Sequence, residues 1–261
     1  MTLLVSILAA VLPSIILLWY FHRQDRYPEP FGVMMMTFVR GVLAVVPILL
    51  VAIPMDLLGQ RFGGLQDSPL GLAAFSAFVL AAIPEESFKY LVLARYSARR
   101  SAFDEPMDGL VYGVCASLGF ATLENIMYVG FSGDLTVAAM RSVTSVPCHA
   151  FLGAIMGYYF GMGTFSSNSR PWLRKAWLIP VLLHGLYDLP LMWVENAYSM
   201  TDAKRFSELD AMLVLGSYAL VLGILVTMLV LTVRLGNYLV AIQAAKTGEI
   251  EEMETSGETT G

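Results

Sequence analysis

Residues 69–94 read PLGLAAFSAFVLAAIPEESFKYLVLA, an apolar run that two adjacent glutamates and a lysine interrupt. An α-helix needs about 20 mostly apolar residues to cross the hydrocarbon core of a bilayer, and this stretch is long enough. Ionisable side chains inside such a span are costly and are candidates for function by default. The run therefore predicts a membrane helix that carries a buried polar site.

Six further apolar runs have comparable length, and they lie at residues 2–21, 32–55, 107–130, 145–165, 173–194 and 209–234. The chain is 57% hydrophobic and 14% charged, with a mean hydropathy of +0.66. An average soluble domain is about 45–50% apolar and about 25% charged. None of the runs alternates as a barrel strand would. We therefore predict an all-α, polytopic membrane helix bundle of about seven to eight transmembrane helices.

The distribution of lysine and arginine predicts the orientation, because these residues accumulate in cytoplasmic loops. With an outward N-terminus, only four of the lysines and arginines in the loops lie on the outer side of the membrane. They are Arg61, Arg141, Lys204 and Arg205. We therefore predict N-out and C-in. Residues 1–245 form the predicted transmembrane catalytic domain. Residues 246–261 read KTGEIEEMETSGETTG and form a predicted acidic, disordered cytoplasmic tail.

Four of the predicted spans carry ionisable or amide side chains at membrane depth. These side chains belong to Glu85, Glu86, Glu124, Asn125, His149, His184 and Asp188. His184 and Asp188 are four residues apart, so both project from one helix face and can meet one ion. Glu85 and Lys89 have the same separation, so Lys89 can serve as a local counter-charge. The adjacent Glu85 and Glu86 point about 100° apart on a helix of 3.6 residues per turn, so we expect them to have different roles.

Histidine and carboxylate ligands without a thiolate suit zinc in an open catalytic site. Such a metal activates water, with a nearby carboxylate as general base, and this assembly hydrolyses amides. Two other interpretations stay open on the residues alone. Buried acids and histidines also form ion relays in transporters, although no inverted repeat is evident here. They can also join helices in a purely structural way.

The order of these motifs resembles the PrsW family of intramembrane metalloproteases, a branch of the superfamily that includes the CAAX prenyl endopeptidases. The similarity covers roughly residues 15–195. It rests on EESFK at 85–89, FATLEN at 120–125, His149 with the following Gly153 and Gly157, HGLYD at 184–188, WYFHRQDRYPEP at 19–30 and FDEPMDGLVYG at 103–113.

The resemblance implies roles for these residues. It makes His149, His184 and Glu124 the candidate ligands of a Zn²⁺ ion, with Asp188 either as a further ligand or as a residue that orients a ligand, and it puts Glu124 at a position where the wider superfamily has histidine. Glu85 would activate the bound water, and Glu86 would share that task or fix the helix. Asn125 would donate to the developing oxyanion, as a side-chain amide can.

The resemblance also implies a substrate class. We expect cleavage of a membrane-anchored protein or peptide, of the kind found in site-1 cleavage of an anti-sigma factor, in a bacterial or archaeal plasma membrane. Membrane lipids are the other expected partners, and no nucleic-acid motif is present. The alternatives are a CAAX-type prenyl endopeptidase and a non-proteolytic membrane scaffold.

Overall fold

A computed structural model describes residues 2–61, 68–132, 135–200 and 208–256. The described chain is mostly helical and contains no strand. Its α-helices are α1 Thr2–Gln24, α2 Phe31–Gly59, α3 Pro69–Ala74, α4 Ile83–Arg95, α5 Pro106–Ser132, α6 Leu135–Val143, α7 Ser145–Thr164, α8 Ser169–Met200 and α9 Glu208–Ser256. A π-helical segment, Phe75–Ala82, joins α3 to α4, and a 3₁₀ turn, Ser97–Arg99, follows α4. The predicted all-α class is confirmed.

Five helical segments of the described chain are long and apolar enough to cross a membrane. They are Phe31–Gly59, Pro69–Arg99, Pro106–Gly130, Ser169–Ala197 and Ala211–Thr247. Each contains most of one predicted run, and α1 and α7 coincide with the other two. These findings establish a multi-pass helical membrane protein. The larger number of spans and the N-out, C-in orientation stay predictions.

The helices differ from the predicted boundaries in two places, one in a connector and one in the predicted tail. The helix α6 lies in a stretch that the sequence left as a connector between the fourth and fifth runs. The helix α9 continues to Ser256, past the predicted boundary at residue 246, and residues 257–261 lie outside the described chain. The division into a membrane domain and a tail stays a prediction.

The centre of the bundle is α7, whose side chains are nearly all buried, together with α5. By contrast, α2 and α9 bury only about a fifth of their most apolar stretches. They expose large side chains such as Phe31, Leu50 and Leu215, which suit contact with lipid. The two central helices are therefore the ones that can carry polar groups away from lipid.

Glycines bring α5 and α7 into backbone contact. Gly109 and Gly113 on α5 face Gly153, Gly157 and Gly161 on α7, at a spacing of four residues on each helix. A Cβ atom added at any of these positions would lie closer than 3.0 Å to backbone of the facing helix. Small residues at this spacing are the usual means by which membrane helices approach closely.

The chain widens into a π-helix just before the two glutamates. Pro84 lacks a backbone N–H and cannot complete an α-helical turn with the residues before it. The π-helical segment Phe75–Ala82 ends two residues before Pro84. Single π-helical turns are frequent at functional sites because they rotate the side chains that follow. Phe78 of this segment packs so closely against Gly185 on α8 that a Cβ there would clash with its ring.

The glycine contact generates a prediction about stability. Gly157→Ala places a methyl group against the backbone of α5, and overpacking of this kind costs about 1–3 kcal/mol. We expect a melting temperature several degrees below that of the wild type, measured in detergent. Gly223→Ala on α9 is the matched control, because nothing lies within 4 Å of a Cβ there. Equal effects of the two substitutions would contradict the close α5–α7 contact.

Candidate metalloprotease site

Three helices bring buried ionisable side chains together. Glu85 and Glu86 come from α4, His149 from α7 and His184 from α8, and one ligand atom of each lies within 4.8 Å of the others. All four residues are buried. This group unites two predicted catalytic glutamates with two predicted metal-ligating histidines.

Lys89 lies among these groups, one turn after the glutamates on α4. Its Nζ donates to Glu86 Oε1 at 2.8 Å and to Glu85 Oε2 at 3.2 Å, and it lies 3.1 Å from His149 Nδ1. The ammonium also stands over the ring of Phe120, 4.2 Å from its centroid. The sequence predicts Lys89 as a counter-charge for Glu85. The structure adds its contacts to Glu86 and to α7.

Each histidine has a carboxylate beside it. His149 Nε2 lies 3.0 Å from Glu124 Oε2, and His184 Nε2 lies 3.2 Å from Asp188 Oδ2. His184 Nδ1 is also 2.8 Å from Glu86 Oε1. A carboxylate at one ring nitrogen fixes the orientation and tautomer of the imidazole, which is a common arrangement around histidine ligands of metals. Glu124 and Asp188 thus contact the histidines, but neither belongs to the group of four.

The two glutamates differ in accessibility, as their angular separation predicts. The side chain of Glu86 is fully buried, and its Oε1 contacts both Lys89 and His184. Its Oε2 has no hydrogen-bond partner among the described residues. The side chain of Glu85 is 11% exposed and lies 3.9 Å from His184 Nε2. Glu85 is therefore the better placed of the two to meet a substrate.

Arg141 on α6 completes the polar network and was not predicted as a site residue. Its Nη2 lies 2.7 Å from Glu124 Oε2, and its Nε donates to Asn125 Oδ1 at 3.1 Å. Asn125 Nδ2 donates in turn to the carbonyl of Ala10 on α1 at 3.2 Å. Both ends of the Asn125 amide are thus engaged in holding helices together. Sequence reasoning placed Arg141 in an outer loop, and its isolation between two apolar runs was the available signal.

The donor set fits a divalent metal ion. Two imidazoles and two carboxylates lie within 4.8 Å of one another, and both are ligand types that zinc accepts in catalytic sites. The wider network contains four carboxylates and two cations, Lys89 and Arg141, so with neutral imidazoles it keeps two negative charges. The unpaired Glu86 Oε2 is a further donor without a protein partner. A divalent cation would satisfy both the charge and the free oxygen.

Comparisons with known proteins agree with this arrangement. A family model described as "PrsW family intramembrane metalloprotease" matches residues 29–231. The chain is 37% identical over 191 residues to Protease PrsW of Bacillus subtilis, covering 72% of this chain and 83% of that protein. It is 39% identical over 190 residues to Protease PrsW of Geobacillus kaustophilus, covering 72% of this chain and 80% of that protein.

A third relative, Protease PrsW of Clostridioides difficile, is 36% identical over 194 residues, which cover 71% of this chain and 78% of that protein. All three relatives are bacterial proteins, and they give the archaeal alternative no support. No solved structure matches the chain. The family match spans most of the chain and includes all seven predicted site residues, so the buried group of acids and histidines lies in an enzyme: the chain belongs to the PrsW family of intramembrane metalloproteases.

Proposed function

We propose that this protein is a zinc endopeptidase that cleaves membrane-anchored regulatory proteins in a bacterial plasma membrane. The observation that carries the proposal is the convergence of Glu85, Glu86, His149 and His184 within 4.8 Å, in a network of four carboxylates and two basic side chains. Family membership makes the activity a metal-dependent peptide hydrolysis. The metal identity, the residue roles and the substrate class are proposals.

His149 and His184 are the proposed nitrogen ligands, with Glu86 as the proposed carboxylate ligand. The contacts of Glu124 and Asp188 with ring nitrogens favour a role in orienting the two histidines. This differs from the sequence-based expectation that Glu124 binds the metal itself, and for Asp188 it selects one of the two roles that the sequence left open. A metal ion held by these residues would supply Lewis-acid chemistry, which polarises a carbonyl and lowers the pKa of water toward neutral.

Glu85 is the proposed general base. Its greater exposure than Glu86 supports this assignment, and it accepts one hydrogen bond from Lys89 that holds the carboxylate in place. Glu85 takes a proton from the attacking water and then passes it to the leaving amine, which balances the hydrolysis. Asn125 was predicted to donate to the oxyanion. Its engaged amide supports a role in positioning Arg141 and α1 instead.

The surroundings of the site favour a substrate that arrives within the bilayer. Ile83, Tyr128 and Leu186 are exposed large side chains on the helices that carry the site, and they suit contact with lipid tails. Glu124 and Asp188, on two of the same helices, keep 16% and 18% of their side chains exposed. A membrane-anchored protein such as an anti-sigma factor fits this setting. A prenylated peptide, the substrate of a CAAX-type enzyme, is the alternative.

Substitutions at the site test the proposed roles. Glu85→Gln removes the base but keeps the side-chain volume, and loss of a general base typically costs about 10²–10⁴-fold in rate. We expect a loss of this size in cleavage of a single-span anti-sigma factor reconstituted with the protein in liposomes. Glu195→Gln is the matched control, because Glu195 is an exposed glutamate on α8. Normal cleavage by Glu85→Gln would rule out this assignment.

A prenylated peptide offered in the same liposomes tests the substrate class. We expect cleavage of the single-span protein and none of the prenylated peptide. The reverse result would favour the CAAX-type alternative and would leave the hydrolytic role of Glu85 open to the same test.

Lys89 provides a second prediction, about metal dependence. Lys89→Met removes a buried cation, and breaking a buried ion pair from one side costs about 3–5 kcal/mol. The network then keeps one more negative charge, so we expect the variant to be more strongly stabilised by added zinc than the wild type is. The measurement is the shift in melting temperature between chelator and zinc. Lys175→Met is the control, because Lys175 is an exposed lysine on α8. An equal zinc shift in Lys89→Met and the wild type would contradict the charge argument.

A further inference from the structure

A second cluster of acids lies at the end of the bundle where α1 passes into α2. Asp25 and Glu29 come from the α1–α2 connection, and Asp108 from the first turns of α5. One oxygen of each lies within 4.8 Å of the other two. Asp25, Glu29 and Asp108 are 5%, 6% and 1% exposed, respectively. The motifs WYFHRQDRYPEP and FDEPMDGLVYG thus meet in space, and the proposed peptidase chemistry uses neither.

Protein donors hold one oxygen of each carboxylate. Asp25 Oδ1 accepts from Tyr27 N at 3.0 Å and from Gln243 Nε2 at 2.7 Å. Asp108 Oδ2 accepts from the backbone amides of residues 104 and 105 at 2.6 and 2.7 Å. The hydroxyl of Tyr112 donates to Glu29 Oε2. The three carboxylates are therefore fixed in position before any ligand arrives.

The second oxygens of two of these carboxylates have no donor. Asp25 Oδ2 and Asp108 Oδ1 are buried and accept no hydrogen bond from an amide, hydroxyl or ammonium group of the described residues, and the carboxyl groups of Glu29 and Asp108 lie close enough to share a proton. A buried polar atom without a partner costs free energy, and an ionised one costs much more. Two such atoms on adjoining carboxylates that approach a third carboxylate indicate that a group outside the protein completes the cluster.

The described chain supplies little positive charge to this cluster. No described lysine, arginine or histidine lies within ion-pair distance of Asp25, Glu29 or Asp108, although His22 lies one turn before Asp25 and has a weak electrostatic effect on it. The neighbouring Glu105 adds a fourth acid and shares the neutral amide of Gln243 with Asp25. Burial raises the pKa of Asp25, Glu29 and Glu105 above their ordinary values.

We propose that Asp25, Glu29 and Asp108 bind a divalent cation of the hard, oxygen-preferring type, at a site separate from the catalytic centre. Carboxylate oxygens without nitrogen or sulfur are the ligands of Ca²⁺ and Mg²⁺. Three protein carboxylates converge here, whereas Mg²⁺ usually keeps several waters and takes only one or two carboxylates, so the cluster matches Ca²⁺ better. Ca²⁺ is therefore the expected ion.

The site would act as a clamp between three parts of the chain. Its ligands join the α1–α2 connection to the start of α5, and Gln243 on α9 donates to one of them, Asp25. Asp108 and Glu124 lie on the same helix, about 24 Å apart at 1.5 Å per residue. The clamp is thus remote from the catalytic group, and the inference does not depend on the proposed peptidase mechanism.

Calcium titration of the full-length protein, purified in detergent and freed of metal, tests the site. We expect the wild type to bind about one Ca²⁺ per chain and to melt several degrees higher with saturating Ca²⁺, since a ligand that binds only the folded state stabilises it. Asp25→Asn with Asp108→Asn should bind at least about tenfold more weakly. In chelator, this variant should melt higher than the wild type, because it lacks the uncompensated charges.

Two further variants and a titration with a second cation complete the experiment. Asp56→Asn is the control substitution, because Asp56 pairs with Gln60 on α2 outside the cluster, and it should bind Ca²⁺ as the wild type does. His184→Ala should also keep the binding, which separates this site from the catalytic one. A parallel Mg²⁺ titration identifies the ion: saturable binding that the double variant loses supports the site with either cation.

The contrary results are equally defined. Absence of saturable binding of both cations, or the same binding in the wild type and the double variant, would overturn the proposal. The cluster would then be a set of acids that share protons. In that case the wild type would gain stability as the pH falls, because acids with raised pKa values bind protons more tightly when folded, and Ca²⁺ would change nothing.

Discussion

Carboxylates at membrane depth need compensation, and this constraint shapes the centre of the protein. Each uncompensated charge in a span costs at least about 2.5–3.5 kcal/mol. Two basic side chains compensate these acids. The ammonium of Lys89 contacts both α4 glutamates and His149, and Arg141 pairs with Glu124. These contacts also fix the positions of α4, α5, α6 and α7 relative to one another. The same ion pairs that make the acids tolerable therefore assemble the site.

Close helix packing supplies the second requirement, because the network spans several helices. Glu124 on α5 and His149 on α7 can meet at 3.0 Å since glycines let these two helices touch along their backbones. The less buried helices α2 and α9 surround this pair and present apolar side chains to lipid. The π-helical segment before Pro84 rotates the side chains that follow it, and these include the two glutamates of α4. The groups of the candidate catalytic site are thus confined to the centre of the bundle.

The sequence predicted much of this because the apolar runs and their interruptions are local signals. The helix positions follow from run length, and the residues Glu85, Glu86, His149 and His184 stood out as ionisable groups in apolar surroundings. The contacts between helices could not be read in the same way. The role of Arg141 depends on α6 folding back beside α5, and the helix α6 is too short to register as a span. The meeting of Asp25 and Glu29 with Asp108 likewise depends on tertiary packing, since their motifs are far apart along the chain.

The most direct measurement of the central claim is the zinc content of the protein, purified in detergent without chelators, beside a variant that carries both His149→Ala and His184→Ala. The account predicts about one zinc per chain in the wild type and its loss in the variant, with both proteins folded by circular dichroism. Zinc retained in the variant, or absent from an active wild type, would contradict the proposal that the two histidines hold a catalytic zinc ion.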